Sequence, residues 1–177
     1  MHLWHDISLG ENAPETITTI IEIPRGSQNK YEINKETGLI ALDRVLFGAN
    51  FFPYDYGFAP QTLWEDGDAL DICVFTTNPL FPGCQVEVRP IGVMRMDDSG
   101  ESDDKIIAVP VGDPRFDHIK EVKDLGEHRV KELKHFCETY KMLQNKVVKI
   151  TGVEGKKAAQ ETVKKAIKLY QEKFGKK

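Results

Sequence analysis

The chain has 177 residues, 40% apolar and 29% charged, which suits one folded domain with a substantial core and excludes a disordered chain. Its formal net charge of -4 argues against nucleic acid or an anionic membrane as a partner. Three scattered cysteines (Cys73, Cys84, Cys137) form no CxxC pair, which points to a reduced, cytoplasmic compartment and away from a zinc site; no apolar run reaches membrane-spanning length.

Residues 1–15 read as an irregular arm broken by Gly10 and Pro14, with His2 and His5 expected in solvent or at a subunit contact. β-Branched residues then crowd positions 16–23 until Pro24 stops the run, a strand. After a turn at 25–29, a second strand at 30–33 places Lys30 and Glu32 on one face and Tyr31 and Ile33 on the other. That charged pair is either an ion pair or a phosphate ligand beside a metal or water ligand. A hairpin turn at 35–38 leads to a third strand, 39–46, carrying Asp43 and Arg44. Residues 51–58 read as an aromatic loop: a small core, or a wall excluding water with the Tyr56 hydroxyl on offer.

The stretch Asp66-Gly67-Asp68-Ala69-Leu70-Asp71 sets three carboxylates within six residues. Such acids repel, so a hard cation, clustered Lys and Arg, or full exposure must compensate. The apolar strand that follows, 72–75, ties Asp71 to the fold and favours a divalent-metal site. The spacing is not that of an EF-hand, and magnesium or manganese suits so few ligands. Next, 84–96 is extended, with Pro90 implying an edge or a bulge. A second acidic cluster, 97–104, is by itself a polar connector, but it runs through Lys105 into a strand at 106–111. Two acidic loops abutting strands of one small sheet can converge on one barrel mouth. Lysines and metals around one cavity fit a polyanionic ligand.

Asp113-Pro114 marks a helix start. From 127 to 143, Val130, Leu133, Phe136 or Cys137, Tyr140 and Leu143 recur at helical spacing, and His135 reads as packed or interfacial. A last strand at 145–153 precedes an amphipathic helix at 156–174, with Ala159, Val163, Ala166, Ile167, Tyr170 and Phe174 inward and a solvated lysine face. The whole is α+β: a small, largely antiparallel barrel with helices packed outside.

The chain resembles, nearly end to end, the soluble family I inorganic pyrophosphatases of prokaryotic type. The resemblance rests on Ile21-Glu22-Ile23-Pro24, Lys30-Tyr31-Glu32-Ile33, Asp43-Arg44, Phe52-Pro53-Tyr54-Asp55-Tyr56-Gly57, the 66–71 signature, Asp103-Asp104-Lys105 and 135–141. It implies a five-stranded OB-like barrel as a single domain over 1–177. It also implies hydrolysis of pyrophosphate to two phosphates with several Mg²⁺, with Mn²⁺ or Zn²⁺ as substitutes, in a homo-oligomer, the hexamer favoured. By the same resemblance Asp66, Asp71 and Asp103 hold a first metal, with Asp71 bridging to a second. Asp98 and Asp103 take metals arriving with substrate, and Glu32 another through water. Asp68 accepts the proton of the attacking water, Glu22 orders the water network, and Tyr56 lies near the nucleophile. Lys30, Arg44, Lys105, Tyr140 and Lys141 bind phosphate oxygens.

That set is chemically coherent. Two metals can lower the pKa of a water and neutralise phosphoryl oxygens, fixed cations can stabilise a leaving phosphate, and a nearby carboxylate can take a proton. The chain departs from the family pattern at Ala69, where proline is more usual, and at Phe52, where tyrosine is common. Three rival readings fit less well. A nucleic-acid-binding OB barrel would want a basic, aromatic-studded face. A calcium-binding module leaves Lys30, Arg44, Lys105 and Lys141 unexplained. Another Mg²⁺ phosphohydrolase, acting on nucleotides, would be expected to show a phosphate loop and a base pocket, and neither is evident.

Overall fold

In the computed structural model, which describes residues 1–175, β1 (Ile17–Ile23) is buried at every position. It is flanked on both edges. β1 pairs antiparallel with β4 (Asp55–Phe58) on one side and with β6 (Gln85–Asp98) on the other. β4 pairs antiparallel with β5 (Asp71–Val74), β5 runs parallel to β8 (Lys105–Pro110), and β8 pairs antiparallel with β6. The five strands therefore close on themselves as a small barrel of the OB type, and only one of its pairings is parallel.

Outside the ring, β2 (Asn29–Ile33) and β3 (Ile40–Val45) form a separate hairpin. β7 (Glu101–Ser102) and β9 (Val148–Gly155) extend the sheet along β6. Two helices cover the barrel. α1 (Glu127–Thr139) buries Leu133, Phe136 and Cys137 in a core shared with Tyr54, Tyr56 and Met94. α2 (Lys156–Phe174) buries Ala159, Val163 and Ala166 against Ile17, Val88 and Ile106. Among the described residues no helix is long and apolar enough to cross a membrane.

Several expectations need correction. The aromatic segment 51–58 is not all loop, because its second half is β4, fully buried inside the ring. Gly57 explains why it read otherwise. A Cβ there would lie 1.9 Å from the Ile20 carbonyl oxygen, so the residue that looks like a strand breaker is what lets β4 lie against β1. Of the two readings of Pro90 the bulge holds: the β6–β8 register shifts between Pro90 and Gly92, and on its other side Pro90 falls between the β1 pairing, which ends at Val88, and the β9 pairing, which begins at Gly92. The 97–104 cluster is a tight hairpin rather than a connector: β6 runs through Asp98, and Ser99 and Gly100 turn back with φ of 60° and 96°.

The Asp113-Pro114 start opens only a three-residue 3₁₀ turn, with Asp113 accepting from the Arg115 N–H. α1 ends at Thr139, and Leu143 is 66% exposed beyond it instead of continuing the buried stripe. The N-terminal arm is irregular, as expected, but docked on the fold rather than leaving His5 in solvent. Trp4 is buried and donates its indole N–H to the Thr62 carbonyl at 2.7 Å. His5 stacks on Trp4, with its Nδ1 2.8 Å from the Tyr170 hydroxyl on α2.

Candidate active site

The parallel register of β5 and β8 sets Asp71 directly opposite Lys105, which joins the ends of the two acidic loops. A cleft of about 300 Å³ opens there. Its lining includes Glu22 from β1, Lys30 and Glu32 from β2, Tyr56 from β4, Asp66, Asp68 and Asp71, Asp98 and Asp103, Lys105, and Tyr140 and Lys141 just after α1. Of the site residues expected from sequence, only Arg44 is absent from the lining. It stands opposite Lys30 in the β2–β3 ladder, its guanidinium bonded to Asp43, and its Nε is buried with no partner among the described residues.

Lys105 is the electrostatic centre. It is 3% exposed, and its ammonium donates to Asp71 at 2.7 Å, Asp103 at 2.9 Å and the Tyr56 hydroxyl at 3.0 Å. Burial alone would lower its pKa, but Asp103 and Asp71 outweigh that and hold it well above the ordinary range, so the charge is permanent. The Tyr56 hydroxyl in turn donates to Asp71. Asp103 is itself pushed up by burial and by Asp71, against the pull of Lys105.

The 66–71 loop is shaped by its own backbone. Gly67, at φ 88°, donates its N–H to the Trp64 carbonyl, Trp64 donates to the Asp68 carbonyl, and Asp66 accepts from the Asp68 N–H. Burial, with Asp71, Asp103 and Asp68 nearby, raises Asp66 to about 6. Asp68 is about half exposed and paired with Lys35 across the cleft. Glu22 is deeply buried and accepts the Ile33 N–H at 2.7 Å; burial and then Asp71 push it up to about 8.

On the far wall Lys30 pairs with Glu32 and lies 3.6 Å from Asp43. Burial first, and then Arg44, lowers its pKa. Lys141 pairs with Asp98, whose carboxyl is held low because that contact outweighs burial. Tyr140 is buried and stacks on Phe136 with centroids 5.0 Å apart. Lys35, Glu101 and Trp4 also line the cleft and were not anticipated. In sequence Lys35 reads as an ordinary turn residue and Trp4 as part of an irregular arm; only the folded chain brings them here.

The donor chemistry suits a hard divalent cation. Eight carboxylates line the cleft (Glu22, Glu32, Asp66, Asp68, Asp71, Asp98, Glu101, Asp103) against four ammonium groups (Lys30, Lys35, Lys105, Lys141). Asp66 and Glu22 are raised first by burial and then by neighbouring carboxylates such as Asp71. All these donors are oxygens, the preference of Mg²⁺. Among the described residues no three acidic, histidine or cysteine side chains already ring one point. Each lysine instead holds a carboxylate. A cation taken up by the acids would therefore release ammonium groups for an anionic substrate.

The family model for inorganic pyrophosphatase matches residues 19–171. The chain is 45% identical over 175 residues to an inorganic pyrophosphatase of Haloferax volcanii, spanning 98% of this chain and 99% of that one. Against an inorganic pyrophosphatase of Geobacillus stearothermophilus the identity is 51% over 156 residues, or 88% and 94% of the two chains. The crystal structure of the inorganic pyrophosphatase from Thermus thermophilus is similar with a TM-score of 0.93 at 48% identity, covering 97% of this chain and 99% of the other.

Proposed function

The chain belongs to the inorganic pyrophosphatase family, and from that premise we propose how its acidic cleft hydrolyses pyrophosphate to two phosphates. Asp66, Asp71 and Asp103 would hold a first Mg²⁺, with Asp71 shared by a second and Asp98, Asp103 and Glu32 serving further ions. Mg²⁺ held there would lower the pKa of water and neutralise phosphoryl oxygens, with Mn²⁺ or Zn²⁺ as substitutes.

The chain's own groups do the rest. Asp68, a half-exposed carboxylate at the cleft wall, takes the proton of the attacking water once Lys35 swings to substrate. Glu22, raised to about 8, carries a proton at neutral pH in the resting cleft and orders the water network. Tyr56 lies beside the nucleophile, its hydroxyl held by Asp71 and Lys105. Lys30, Lys105, Lys141 and Tyr140 bind phosphate oxygens, and Arg44 joins them from β3 by leaving Asp43. The lysine and arginine charges stabilise the leaving phosphate without changing protonation state.

The observation that carries this reading is the meeting of both acidic loops at one lysine-studded mouth. Phosphate release from pyrophosphate with Mg²⁺, beside an EDTA control and Asp68→Asn, tests it. Rapid release, lost with EDTA and crippled by the substitution, is expected. Folded protein that releases nothing with Mg²⁺, Mn²⁺ or Zn²⁺ would refute it, and faster release from ATP would transfer the site to nucleotides.

We read 1–177 as one domain working in the cytoplasm, which suits three free cysteines. A homo-oligomer, the hexamer favoured, is supported by the apolar surface of Leu42, Val45, Phe47 and Phe51 on and after the hairpin, each about half exposed or more. Sedimentation of wild type against Leu42→Asp would measure that assembly.

A further inference from the structure

Asp104 has no place in the chemistry above, yet it is the most deeply buried acid of its hairpin, at 7% exposed. Its neighbours Asp103 and Lys105 line the cleft, and it does not. Its carboxylate turns the other way. One oxygen accepts the Met96 N–H at 3.1 Å and the other accepts from Arg95 Nη1 at 2.7 Å. The same guanidinium donates to the Thr162 hydroxyl of α2 at 2.9 Å and to Glu154 of β9 at 2.7 Å. The β6–β9 register shifts between Arg95 and Met96, the kind of irregularity that re-aims a side chain. One cation thus ties the segment carrying Asp103 and Lys105 to the sheet and to α2 from behind.

We propose that Arg95 and Asp104 are a positioning pair that holds Asp103 and Lys105 in register with Asp71 and so sets the divalent-cation affinity of the cleft. The inference rests on the reading that Asp103 holds a cation. A carboxylate ligand left to swing must be ordered each time an ion binds, and partners behind a ligand commonly govern affinity about 10- to 100-fold. Because Asp104 faces away from the cleft, its effect is transmitted through its two neighbours.

Calorimetric titration of substrate-free protein with Mg²⁺ separates this from simple stabilisation. Asp104→Ala is expected to weaken Mg²⁺ binding about 10-fold. Asp104→Asn, which still accepts from Met96, should recover part of the loss. Val163→Ala loosens α2 by packing alone and should lower the melting temperature without moving Mg²⁺ affinity. Thr162→Val, the milder loss of one Arg95 contact, serves if Asp104→Ala does not fold, and should weaken binding in the same direction. Unchanged affinity in Asp104→Ala, or in Thr162→Val where Asp104→Ala does not fold, or an equal shift in Val163→Ala, would overturn the proposal. Asp103→Asn distinguishes the two levels. If it alone weakens binding, the positioning pair fails; if it too has no effect, the cation role of Asp103 fails with it.

Discussion

Asp71 and Lys105 face each other across the parallel pairing of β5 and β8, with the Lys105 ammonium 2.7 Å from the Asp71 carboxylate. Thirty-four residues separate them in the chain, and the backbone register alone makes them neighbours. In the resting cleft this buried lysine offsets two partly buried acids, Asp71 and Asp103, which otherwise repel each other.

Lys105→Met should therefore destabilise the metal-free protein by about 3–5 kcal/mol, the usual consequence of removing one partner from a buried ion pair. Mg²⁺ should restore part of the loss by taking over the charge. Melting temperatures with EDTA and with Mg²⁺ check this: the gap between them should be wider in the variant. An unchanged gap would mean that Lys105 does not balance these acids.

Glu22 gives the metal-free protein a pH dependence. Its folded pKa of about 8 lies above its ordinary 4.5, so over that interval the folded chain holds a proton that the unfolded chain has released. Its stabilising contribution is full below about 4.5 and is lost as pH rises through about 8. The melting temperature in EDTA should fall across that window, and Glu22→Gln should flatten the fall. Parallel profiles for the two proteins would exclude Glu22 as its source.

Phe52 sits behind the site rather than in it, its ring 4.8 Å from Phe136, 5.7 Å from Tyr56 and 6.4 Å from Tyr140. The ring supports two hydroxyl-bearing residues without contributing a polar group of its own. Phe52→Tyr should hold or raise turnover, at a stability cost no greater than about 1–3 kcal/mol for one buried hydroxyl. Steady-state kinetics and thermal melts test both parts. A large fall in kcat would show that this chain has adapted to the missing hydroxyl.

Gly57→Ala drives a methyl into the Ile20 carbonyl, and backbone cannot move aside as a side-chain tip can. The cost should exceed the usual range of about 1–3 kcal/mol for overpacking. A urea midpoint within experimental error of wild type would mean that β1 and β4 can separate without loss.

Much of this molecule is legible in the chain because it is local. The β-branched run of β1, the span of α2 and the acids of the 66–71 loop follow from side-chain period and like-charge spacing. These do not depend on what lies across the barrel. β4 was hidden because Gly57 and Pro53 break local patterns, and the reason for the glycine is a strand 36 residues earlier that approaches too closely for a side chain. Lys35 and Trp4 were overlooked on the same principle. Nothing about a turn lysine or an arm tryptophan marks it until the hairpin and arm fold over the cleft.

The sequence by itself determined which residues carry charge, where strands and helices have the pattern to form, and which family the motifs resemble. The tertiary structure alone decided that Asp71 meets Lys105, that Asp104 turns away from the cleft to Arg95, and that Arg44 rests on Asp43 outside the lining. The physical reason is range. Periodicity and propensity act over a turn or a pleat, whereas strand register and burial bring together groups that no local rule connects, and electrostatics in the buried site depends on that meeting.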